Sequence, residues 1–194
     1  MSSAVPSTRD RILAATLTLV ERAEGPIAMA AIAKAAGLSR QALYLTFADK
    51  ADLFVALVRY VDDLRGIAAE VARIRAAPTG VDALLAMVDL QSRTNPGLKP
   101  LADAFELLRR QDPAAEQAWQ DRLQDRLAGA RGVVARLSAE GRLRPGLDPD
   151  VAADLVWSLT SLRMWDDLVA RQGWTAQAYR ERMSDLLLTA IVSP

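Results

Sequence analysis

Apolar residues recur every three or four positions along most of the chain, and no segment alternates convincingly between apolar and polar positions. That period predicts helices and no strands. The first runs over about residues 8–23, with Ile12, Leu13, Leu17, Leu19 and Val20 on its apolar side. Ser7 is placed to cap it, Asp10 opposes the dipole in its first turn, and "EGPIA" stops it. A second covers about 28–36 and closes at Gly37, a suitable left-handed position after a helix. A third follows Ser39 and ends near Phe47. One long helix then runs from a cap at Asp49 to Pro78 and Gly80, burying Leu53, Phe54, Leu57, Val61 and Leu64. Turn-forming stretches at 95–97, 112–113, 144–150 and 171–175 delimit five more, over 81–94, 98–111, 113–140, 148–172 and 175–192. Nine helices result. The boundary falls near residue 50, separating a small unit (1–50) from a larger one (51–194).

Composition narrows what such a fold does. The 194 residues are 51% hydrophobic, with no run long enough for a membrane span and no leader-like apolar stretch at the start. Cysteine and histidine are both absent. Disulfides, structural zinc sites, Ser–His–Asp triads, Cys–His dyads and histidine-ligated haem are therefore excluded. No Gly-rich phosphate loop occurs. The expectation is a cytoplasmic protein, not an enzyme, with no cofactor. Formal charge is zero, so the chain as a whole is no polybasic binder. Residues 1–50 hold six Lys or Arg against four Asp or Glu, a weak excess of +2 that permits DNA binding.

The short unit has the order of a helix-turn-helix, whose second helix enters the major groove. Leu38 and Leu43 stand where a hydrophobic staple fixes the angle of helix entry. The stretch "IAKAAGLSRQALYLTFADKADLF" resembles the tetracycline-repressor (TetR) family of bacterial regulators at Ile32, Ala33, Ala36, Gly37, Ser39, Leu43, Tyr44, Phe47, Lys50 and Leu53. "RDRILAATLTLV" is similar to the helix before it. The resemblance is strong over about the first 55 residues; beyond them only helix number and length agree. It implies an all-α, nine-helix TetR-like fold: an N-terminal DNA-binding unit and a larger ligand-binding and dimerisation domain.

Projection of the third helix at 100° per residue, with Leu43 and Phe47 inward, centres the outer face between Gln41 and Leu45. Gln pairs with an adenine edge, Arg with guanine, and an apolar side chain meets a thymine methyl. Arg40, Gln41 and Leu45 are thus candidates for base readout, flanked by Ala42, Tyr44 and Thr46. The resemblance assigns Tyr44, Thr46 and Lys50 mainly to phosphates, for which two hydroxyls and an ammonium are suitable donors. Plainer readings stand beside these: Tyr44 as partly buried core, Lys50 as a solvated lysine, and Leu45 as a residue packed on a neighbouring helix. Two departures from the family remove hydroxyl contacts to phosphate: Ile27 and Ala28 replace Thr or Ser before helix two, and Gln41-Ala42 replaces Gly-Thr.

In the larger part the resemblance implies a ligand cavity, with Met87, Gln91, Phe105, Leu108, Trp119, Trp157 and Met164 as its candidate lining. The alternative is that these residues are core. The charges of "QDRLQDRLAGARG" read as a solvated face. Leu155, Ser158, Leu159, Ser161, Leu162 and Trp165, with Tyr179, Met183, Leu186, Leu187 and Ala190, form two stripes suited to a four-helix contact between two copies. The alternative is burial within their own chain. The expected partners are double-stranded DNA, a small-molecule effector and a second copy, with no membrane. The expected function is a ligand-responsive transcriptional regulator, a repressor on a near-palindrome. The competing reading is a TetR-like ligand-binding or interaction protein without specific DNA recognition.

Overall fold

A computed structural model describes residues 6–22, 27–110 and 113–194. The predicted stop at Glu24–Pro26 and the turn at Asp112 lie outside the described residues, as does the side chain of Leu107. Among the described residues ten α-helices form: α1 (Thr8–Arg22), α2 (Met29–Ala35), α3 (Arg40–Thr46), α4 (Lys50–Leu64), α5 (Ile67–Arg75), α6 (Gly80–Arg109), α7 (Pro113–Ala139), α8 (Pro149–Leu159), α9 (Leu162–Trp165) and α10 (Ala176–Ile191). A π-helical segment, Asp166–Arg171, follows α9.

Three differences from the predicted elements have identifiable causes. The long fourth helix divides at Gly66, which adopts φ +61°, a left-handed conformation that ends α4 and starts α5. Conversely, "NPG" at 95–97 does not interrupt α6. Pro96 removes one helical donor at a cost of about 3 kcal/mol. Leu90 on one side of it and Leu101 and Phe105 on the other are buried, each contributing about 1.5–3 kcal/mol. Burial wins. The third difference falls at Thr160, where Ser161 turns extended and caps α9 by accepting from the Met164 amide.

The chain groups into two compact units. One comprises Met1–Arg65 with Pro100–Gln120; the other comprises Gly66–Lys99 with Asp121–Pro194. In the first, Ile12, Ile32, Leu43, Phe47, Leu53 and Leu57 are fully buried. Phe105 stacks on Trp119 at 5.6 Å between centroids and meets Phe54 at 6.0 Å. In the second, Leu84, Val88, Leu137, Val156, Tyr179 and Leu187 centre the core. There α8 packs on α10, and the Tyr179 hydroxyl donates to the Leu159 carbonyl at 3.1 Å. Burial pushes that phenol up to about 12, so it remains a donor.

Candidate DNA-binding interface

Local chemistry sets the position of α3. Gly37 takes φ +67°, and the Leu38 amide reaches back to the Ala33 carbonyl at 2.9 Å, closing α2 with a left-handed cap. Arg11 on α1 donates to the Ala36 carbonyl at 3.0 Å, tying the end of α2 to the first helix. Ser39 is extended, and its hydroxyl oxygen accepts from the Ala42 amide at 3.1 Å, so α3 begins where the sequence predicts. Asp49 accepts from the Asp52 amide at 2.8 Å and starts α4. Ala28, by contrast, makes no side-chain cap at α2, as expected without a Thr or Ser there.

With Leu43 and Phe47 buried, the opposite side of α3 is open. Arg40 and Gln41 are exposed, Ala42 is half-buried, and Tyr44 retains 46% of its surface. Leu45 is 83% exposed, so it does not pack on a neighbouring helix of its own chain. Leaving such a side chain in water forgoes about 1.5–3 kcal/mol of burial. Thr46 donates its hydroxyl proton to the Ala42 carbonyl at 3.0 Å; to reach a phosphate it must first release that bond. Lys50 is half-buried rather than fully solvated, with Nζ 5.6 Å from the Phe54 ring centroid. Burial holds its ammonium below the ordinary lysine range. Arg9, not singled out by the pattern, lies over Phe47 at 4.5 Å and brings a further cation to this unit.

The sequence model of the bacterial regulatory proteins, tetR family, matches residues 12–57, which span α1 to the middle of α4. Residues 12–57 are thus similar to the N-terminal region of the TetR family. TetR-family structures also share the whole fold. NalD of Pseudomonas aeruginosa, the secondary repressor of the MexAB-OprM multidrug efflux pump, is 22% identical with a TM-score of 0.70, covering 95% of this chain and 96% of its own. SmeT of Stenotrophomonas maltophilia, in complex with triclosan, is 21% identical with a TM-score of 0.74, covering 97% and 93%. The regulator FadR of Bacillus subtilis, in complex with stearoyl-CoA, is 22% identical with a TM-score of 0.74, covering 93% and 98%. Among curated proteins, none matches the sequence. Among the described residues, no helix is long and apolar enough to cross a membrane.

The predicted TetR-like ligand lining falls in both units. Phe105 is buried and Leu108 and Trp119 are half-buried in the first. Met87, Gln91, Trp157 and Met164 are half-buried in the second, where all but Gln91 pack against its core. An open groove of about 700 Å³ lies between α6 and α10, edged by Leu85, Asp89, Arg180 and Leu188, and includes none of the predicted lining. Of the predicted interface stripes, Trp165, Tyr179, Met183 and Leu187 are already covered by their own chain. Ser158 and Leu186 are exposed; Leu155, Leu159, Ser161, Leu162 and Ala190 are half-buried. Arg122 and Arg126, read from the sequence as part of a solvated face, are both half-buried.

Proposed function

We propose that this chain is a ligand-responsive, DNA-binding transcriptional regulator that acts as a homodimeric repressor. The observation that carries this reading is the outer face of α3, where Arg40, Gln41 and Leu45 stand exposed together in a TetR-type unit. Arg40 and Gln41 supply hydrogen bonds to base edges, and Leu45 supplies an apolar contact for a thymine methyl. Tyr44, Lys50 and, after rotation, Thr46 hold the phosphates, with Ala42 making close contact. Residues 1–50 are the DNA-reading part and residues 51–194 the sensing and pairing part.

In the second copy the same helix faces the next half-site, about 34 Å along the duplex, so the site is a near-palindrome. Pairing uses the outward side of α8 and α10, through Leu155, Ser158, Leu186 and Ala190. A small molecule that favours the dimer with misplaced α3 helices releases DNA in proportion to its differential affinity. The efflux-pump repressors and the triclosan and stearoyl-CoA complexes among similar folds support this scheme. Their regulatory roles and the absence of His and Cys here also favour a regulator over an enzyme.

Fluorescence anisotropy on duplexes from the chain's own upstream region, and on scrambled duplexes, tests this across a range of salt. The expected result is tighter binding to the native duplex at every salt concentration. Equal binding throughout would favour the ligand-binding protein without sequence recognition.

A further inference from the structure

Arg126, in the middle of α7, is a half-buried charge that no carboxylate pairs among the described residues. Its Nη2 donates to the Trp157 carbonyl at 3.1 Å and to Thr160 Oγ1 at 3.4 Å, and its guanidinium carbon stands 5.8 Å from the Trp157 ring centroid. Those bonds cap the carbonyl end of α8, where a partial negative charge is at home. They occupy one of three guanidinium nitrogens. Among the described residues, Nε and Nη1 have no hydrogen-bond partner, no carboxylate pairs with the group, and neither nitrogen is sealed from the surface. Arg122 lies one turn earlier on α7, and two like charges at that spacing repel. Burial, and after it the charge of Arg122, pull the Arg126 guanidinium down to about 10. A second observation points the same way. The buried Trp157 Nε1–H, on the ring beneath this cation, has no acceptor among the described residues. An incompletely paired cation and an indole donor thus share one place.

We propose that Arg126, supported by Arg122 and Trp157, is the anchoring point for a small-molecule carboxylate with an apolar or aromatic body. A carboxylate accepts from the uncommitted guanidinium N–H groups, offsets the repulsion along α7 and brings an acceptor toward the indole N–H. One guanidinium matches one planar monoanion, and the Trp157 face suits a hydrocarbon or aryl skeleton. This assignment rests on the ligand-responsive reading above and names the chemical class of its ligand.

The test compares acids with their neutral amides on the purified full chain at fixed ionic strength. The pairs are octanoate with octanamide and 3-phenylpropionate with 3-phenylpropanamide, followed by tryptophan fluorescence and calorimetry. At least one acid is expected to bind tenfold or more tightly than its amide, and Arg126→Gln is expected to abolish that preference. Arg126→Lys, which keeps the charge but not the fork, is expected to weaken it. The acid–amide comparison on the unmodified protein needs no variant, so a misfolded substitution does not rescue the idea. Equal affinity within both pairs, including no binding to either member, overturns it. So does a preference that survives in Arg126→Gln. Arg126→Gln that dissociates the dimer while acid binding persists assigns the residue to the second copy instead. An acid that binds through Arg126 yet leaves DNA affinity unchanged sinks the induction scheme and leaves this site standing.

Discussion

Leu45 and Gln41 are an unusual pair to leave in water on one seven-residue helix, and their exposure gives α3 a face with hydrogen-bonding and apolar contacts side by side. Gln41→Ala should relax base preference at one position of the binding site, at about 1–3 kcal/mol of discrimination. Lys50→Ala should weaken all duplexes alike and flatten the salt dependence by roughly one ion. Competition binding against single-base variants of the site separates the two, and equal weakening by both substitutions would contradict the division of roles. This face was legible because α3 is short and locally specified: its cap, its two buried residues and its exposed side all lie within nine residues. Arg126 was not. Its repeated "QDRL" setting looks solvated, and its burial depends on Trp157, 31 residues away on another helix.

Glu140 joins the end of α7 to the start of α6, where no apolar stripe suggests a contact. The Gly80 amide donates to both its carboxylate oxygens, at 2.7 and 3.0 Å, and Arg136 pairs with it at 3.0 Å. Arg136 also donates to the Pro78 carbonyl at 2.8 Å, holding the α5–α6 connection. The bond from Gly80, more than Arg136, keeps the Glu140 carboxyl below its ordinary 4.5. A group with a depressed folded pKa stabilises the fold above its unfolded value and loses that contribution as pH falls through the folded one. The stability gap between the native chain and Glu140→Gln should therefore be constant above about pH 4.5 and shrink below it. Urea unfolding over pH checks this; a gap that does not narrow on acidification counts against the link.

Gly80 itself has no room to spare, since a Cβ there would stand 3.0 Å from the Leu137 backbone nitrogen. Gly80→Ala should cost a net of about 1–2 kcal/mol, overpacking outweighing the helix-propensity gain of about 1 kcal/mol. A stabilised variant in the same unfolding experiment would show that α7 yields. At this scale, ends set by neighbouring residues were readable, as at Ser7, Ser39 and Asp49. The joins at Gly66, Pro96 and Thr160 were not. Glycine and proline state what a backbone permits, and distant burial decides whether the helix stops.

The grouping of residues 100–120 with the first 65 is a property of the whole chain that no local pattern carries. Helical period announced nine helices, where ten form among the described residues, and a small N-terminal helix-turn-helix unit, but not which distant helices share a core. The same limit applies to the proposed pairing surface: α8 and α10 both carry apolar stripes, and only the structure separates Tyr179 and Leu187, already buried, from Leu186 at 45% exposure. Leu186→Glu should therefore weaken the proposed homodimer about tenfold or more, some 1.4 kcal/mol, while changing subunit stability by less than about 0.5 kcal/mol. Sedimentation velocity over a concentration series reads the first and thermal unfolding of the monomer the second. An unchanged dimer would move the interface elsewhere.

Recognition of DNA by paired α3 helices is the claim on which the rest depends. Affinity selection of the purified protein on a pool of random duplexes tests it most directly. The expected result is enrichment of an inverted repeat whose half-sites lie about one helical turn, ~34 Å, apart, and loss of one conserved base in the sites selected by Gln41→Ala. A pool that emerges with no enriched sequence would contradict it.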